Sequence, residues 1–218
     1  MEAENMPDAT LDDLPPAVRG LSSTATDITP RPDADALPPI RLINLAWVGL
    51  VLLAMVAVIE SDDLWALNFT HVLAGILWTG IDLFMGFVIG PILRRVPLSA
   101  RRAIVCRLMP KTLFLLPTLS IITGTAGYVL AARMGFLDVA YPAFWWVLAA
   151  LVVLALLTVQ GLAVLLPTNL LVYFELRKPQ PDVVRIEWLM RRYVRVVALQ
   201  GTAQVAMILI MSRFATGL

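Results

Sequence analysis

Histidine and cysteine are almost missing from this chain, with one of each, His71 and Cys106, in 218 residues. A single cysteine excludes an intrachain disulfide, a CxxC metal knuckle and a CxxCH haem-attachment motif. A single histidine excludes a bis-histidine pair within the chain, the usual axial set for haem b in a membrane bundle. Charge is scarce as well: charged residues make up 15% of the sequence and hydrophobic ones 59%. No basic run is interleaved with aromatics, so a nucleic-acid partner is not expected. Cys106 has Arg102 and Arg107 as neighbours, which can lower a thiol pKa; it reads as an inert interfacial thiol.

The few charges are segregated between long apolar runs, which is the pattern of an integral membrane protein. The net charge of +1 sums two opposite regions. Residues 1–41 carry eight acids and three arginines, with proline pairs at Pro15-Pro16 and Pro38-Pro39 and no apolar periodicity. They read as a disordered acidic tail that proteolysis would remove without unfolding the rest, and not as a signal peptide. Residues 42–218 read as an all-α transmembrane domain of five spans. The apolar stretches cover 42–59, 64–93, 108–132 and 143–174; the fifth starts in a basic amphipathic stretch near Val183 and runs apolar over 196–211. Each approaches the roughly 20 residues needed to cross a bilayer. The second and fourth are long enough to tilt or protrude.

Arg94, Arg95, Arg101, Arg102, Arg107 and Lys111 lie between spans two and three, and a second basic group surrounds the connection between spans four and five. The other two loops hold Glu60, Asp62, Asp63 and Asp138 against Arg133 alone. The positive-inside bias puts the N-terminus in the cytoplasm and the C-terminus outside. All the loops are short, so any chemistry falls within the helix bundle. Pro117 and Pro167 are expected to kink their helices. Trp47, Trp65, Trp145, Trp146 and Trp188 fall near span ends, as belt anchors do. Within the connection near span five, Glu187 is one turn from Arg191 and suited to pair with it.

The second span carries the most informative run, His71-Val-Leu-Ala-Gly75-Ile-Leu-Trp78-Thr-Gly80, with Asp82 two residues on. Spacings of four, seven and eleven return almost to one helical face, so His71, Gly75, Trp78 and Asp82 form a stripe. An acid and a base inside a membrane span are costly and face the bundle interior. His71 is a candidate ligand for haem or a metal, with Gly75 and Trp78 on the cofactor-facing wall. Met207 and Met211 on the last span are candidate second ligands. The alternative for His71 is a hydrogen bond to a neighbouring helix. Asp82, Gln160, Gln200 and Gln204 make a candidate polar seam for protons. Gly75, Gly80, Gly86 and Gly90 suit close helix approach.

The run from His71 through Gly75 and Trp78 to Gly80 resembles the start of helices in the copper-resistance protein D-like superfamily of bacterial membrane proteins. It is similar locally to the membrane domain of the cytochrome-c-linked urate hydroxylases. Leu108-Met109-Pro110 and Thr123-Gly124 resemble the same group, and the resemblance spans roughly residues 64–130. It implies a small helical bundle in a bacterial inner membrane, often tied to redox or metal handling, and carries over His71 only as a candidate ligand. Haem-binding relatives use more than one histidine, and the urate enzymes carry a cytochrome c domain; this chain has neither feature.

Three functions fit these residues. One is a redox-associated subunit that handles haem b or a metal, with Asp82 on a proton path. The second is a permease or ion-conducting protein using Asp82 and the intramembrane glutamines. The third is a non-catalytic scaffold. Expected partners are membrane lipid and either other membrane subunits or further copies of this chain.

Overall fold

The computed structural model describes residues 43–217. The acidic segment at 1–41 lies outside the described residues. Among those described, five long helices follow one another: α1 Asn44–Glu60, α2 Leu64–Arg95, α3 Leu98–Arg133, α4 Phe144–Leu176 and α5 Val183–Ala215. A single 3-10 turn, Phe136–Asp138, lies between α3 and α4. The last four are long and apolar enough to cross a membrane, and α1 is a shorter apolar helix of 17 residues. At 1.5 Å per residue α1 extends about 26 Å and α2 about 48 Å. The longer helices therefore exceed a hydrocarbon core about 30 Å thick and emerge from it.

The outer surface is oily. Leu50, Leu53, Ile76, Phe87 and Leu209 are each 65–69% exposed. Apolar surface on this scale requires lipid, because water would drive such a molecule to aggregate. Trp65, Trp145, Trp146 and Trp188 are exposed, whereas Trp78 is buried. The fold is thus an all-α membrane bundle.

Alternate helix ends gather at two poles. At the acidic pole, Asp63 caps α2 by accepting from the backbone N–H groups of Trp65 and Ala66 at 2.9 and 3.2 Å. Such a cap satisfies N–H groups that a helix start leaves unpaired. Arg133, at the end of α3, binds Asp62 at 2.8 Å and donates to the Ile59 carbonyl at 2.6 Å. At the basic pole, Leu93, Cys106, Leu176 and Ile186 pack into one core, joining the α2–α3 and α4–α5 connections. Cys106 is fully buried there and packs against these apolar side chains.

By their charge, residues 98–107 read as a loop. They are the first turns of α3, and only Val96 and Pro97 separate it from α2. The arginines there read as loop by charge, but Val105 and Cys106 have an apolar core to enter. Arg101 donates to the carbonyls of Leu93 and Arg94 at 2.8 and 3.3 Å, closing the end of α2 as C-terminal cations do. Glu187 and Arg191 pair at 3.6 Å, as their spacing implies.

Two helices contain a π-turn, Met85–Ile89 in α2 and Gln160–Leu165 in α4. Each is followed by a proline, Pro91 and Pro167. Proline lacks an N–H and its ring collides with the carbonyl four residues back. Those carbonyls belong to Phe87 and Ala163, both inside the π-turns. Widening the helix relieves the collision and shifts the hydrogen bonds to i→i−5, as in Gly90 N–H to Met85 O and Leu166 N–H to Gly161 O. Pro110 and Pro117 instead lie within a continuous α3.

Candidate functional site

The second-span stripe divides into two parts. His71 and Gly75 face α3. The imidazole Nδ1 donates to the Thr123 carbonyl at 2.9 Å; a carbonyl can only accept, so a proton is on Nδ1. The ring lies on Gly127, where a Cβ would come within 2.5 Å of Cε1. Gly75 meets the Thr123 methyl at ordinary van der Waals range, 3.4 Å from where its Cβ would stand. Interhelical hydrogen bonding and packing account for this half of the stripe. A haem or metal ligand role would fall to Nε2. No group of three or more His, Cys, Asp or Glu side chains gathers to hold a metal among the described residues. The cavity described below is lined by Asp82 and not by His71.

Trp78 and Asp82 turn to the centre. Asp82 is 6% exposed, and Gln200 and Gln204 of α5 are 2% exposed each. Both amides converge on one carboxylate oxygen: Gln204 Nε2 donates to Asp82 Oδ2 at 2.9 Å, and Gln200 Nε2 donates to the same atom. The Trp78 indole, one turn back on α2, also interacts with this carboxylate. Gln200 and Gln204 share a face because they are four residues apart. Gly201 allows α5 to approach, with Leu83 beside it. No lysine or arginine among the described residues forms an ion pair with Asp82.

Asp82, Gln200 and Trp78 line a cavity of about 70 Å³ between α2, α3, α4 and α5. Thr112, Asn169 and Tyr193 carry its wall toward the basic pole. It is roomy enough for a few water molecules, given the 10–15 Å³ or so that each needs, and has polar partners for them. A second cavity, of about 30 Å³ and wholly apolar, lies by the α2 π-turn, and Tyr193 lines both. The Tyr193 hydroxyl is hydrogen-bonded with the Asn169 side chain.

Gln160, placed in the seam by the sequence reading, is buried at the start of the α4 π-turn. No hydrogen bond joins it to Asp82. The Oε1 atoms of Gln160, Gln200 and Gln204 are all buried without a partner. Thr118, Thr123 and Thr168 each donate to the carbonyl one turn back in their own helix. Sequence reasoning missed Tyr193, hidden in a basic stretch. Its separation of seven residues from Gln200 was the available signal, since it puts both on one face. Missed too was Glu175, a buried acid at the end of α4 held by Lys178 at 2.7 Å and accepting from the Asp182 backbone at 3.3 Å.

Comparison with known protein families, characterised proteins and solved structures finds no match for this chain. What fold and site define together is a class, a helical membrane bundle with a carboxylate–amide cluster at its centre.

Proposed function

We propose that this protein handles a small ion, a proton or a monovalent cation, at Asp82 within the membrane. The observation that carries the reading is one buried carboxylate gripped by two amides, lining a cavity of water-holding size, with no cationic side chain among the described residues paired to it. A carboxylate deep in a span is expensive and is found where ions or protons travel. In isolation it is neutralised by a proton or a bound cation, and exchange of that cation is the elementary step of a conducting or carrier protein. Tyr193 lines both this cavity and the apolar one beside it.

The setting we propose is a bacterial inner membrane with the basic pole toward the cytoplasm, following the positive-inside bias and the resemblance over residues 64–130. Ion flux in proteoliposomes tests the function, using a trapped pH dye for protons and tracers for sodium and potassium. Wild-type protein should carry at least one of these ions, and Asp82→Asn should reduce that flux to the level of empty vesicles. Flux that is unaltered in Asp82→Asn, or absent throughout, would overturn the reading.

A further inference from the structure

We propose that Asp82, Gln200 and Gln204 form a binding site for a partly dehydrated alkali-metal cation, with the two glutamines acting as reversible ligands. This deepens the ion-handling reading of Asp82 and rests on it.

The argument begins with the oxygens that have no partner. With both amide N–H groups turned to Asp82 Oδ2, the Oε1 atoms of Gln200 and Gln204 are buried and unpaired. A buried carbonyl without a donor is a cost that native interiors avoid. Rotation of a glutamine about its last torsion exchanges N–H₂ for O in almost the same volume. Two such rotations would set carbonyl oxygens against a carboxylate, which repels them unless a cation lies between. With a cation there, the carboxylate and both Oε1 atoms are satisfied at once. The N–H₂ groups are released toward the cavity that Gln200 already lines, and water there completes the ion's shell.

Charge selects the class of ion. One carboxylate balances one positive charge, and a divalent ion would leave an uncompensated charge in low dielectric. Calcium sites recruit more oxygens, usually several carboxylates, and magnesium keeps most of its water. Neutral carbonyl oxygens are the ligands that replace the hydration shell of alkali cations. A proton would need a single acceptor, whereas two amides one turn apart are trained on the same oxygen.

The test is thermal unfolding of the detergent-purified full chain, titrated with sodium chloride or potassium chloride against choline chloride at constant ionic strength and alkaline pH. Tm should rise saturably with one or both alkali cations, as it does for any ligand that binds the native state alone. Gln200→Leu and Gln204→Leu should each weaken the half-saturating concentration by about tenfold, a loss of about 1.4 kcal/mol. Asp82→Asn should abolish the rise. Line broadening in sodium NMR gives a second readout on the Gln204→Leu protein if Asp82→Asn does not fold.

Equal Tm in alkali and choline salts, or stabilisation by calcium or magnesium alone, would overturn the proposal. If proton flux through Asp82 persists without any alkali effect, this inference fails and the ion-handling reading stands. If alkali ions bind but no ion crosses, the site stands and the transport reading fails.

Discussion

A glycine at 127 is what lets an imidazole lie between α2 and α3. Any larger side chain there would occupy the space of His71 Cε1. Gly127→Ala should displace the ring, break its bond to the Thr123 carbonyl and destabilise the bundle by about 1–3 kcal/mol, the range for overpacking. Denaturant unfolding in detergent measures this. His71→Ala introduced into Gly127→Ala should cost less than the two single changes added, because both act on one contact. Asp82 is the opposite kind of residue. Its partners lie 118 and 122 positions away in sequence, and its meaning comes from them.

At the scale of the element, α2 meets α5 where a glycine faces a side chain. A Cβ on Gly86 would meet Val197 Cγ1 at 2.7 Å. Valine has little rotamer freedom on a helix, so Gly86→Ala should push the helices apart next to the Asp82 cluster. Lower Tm and reduced flux are expected, and Val197→Ala in the same protein should restore both in part. The α4–α5 connection is fastened by Glu175, whose carboxylate is held by the Lys178 ammonium and the Asp182 backbone N–H. Glu175→Gln removes the charge from this latch. Limited proteolysis across residues 177–182 should then be faster than in wild type, with the helices themselves still protected.

For the whole molecule, the poles make a claim about sidedness. Single cysteines placed in the acidic connection at 61–63 and at 178–181 should be labelled by impermeant reagents from opposite faces of the membrane. The native Cys106 is buried and is replaced by serine beforehand. Labelling of both positions from one face would remove the alternating topology. In the four long helices only 17–28% of each span window is buried inside the bundle. Mutations on the outer surface to other apolar residues should leave Tm nearly unchanged, in contrast to changes at the Asp82 cluster.

The sequence alone determined the class of fold, because hydrocarbon thickness imposes length and polarity on any spanning helix and both are written locally. It also marked His71, Gly75, Trp78 and Asp82 as one helical stripe and Gln200 with Gln204 as another, since helical periodicity is local. The limits of α3 are not legible locally, because the arginines at 101–107 read as loop by charge while the apolar residues among them have a core to enter. Tertiary structure alone decided which helix each part of the stripe faces. It brought the amides of α5 onto the carboxylate of α2, left Gln160 apart, and drew Tyr193 and Asn169 into the cavity wall. Those pairings depend on helix rotation and separation, which are set by glycines, π-turns and side chains far apart in sequence, and no local pattern encodes them.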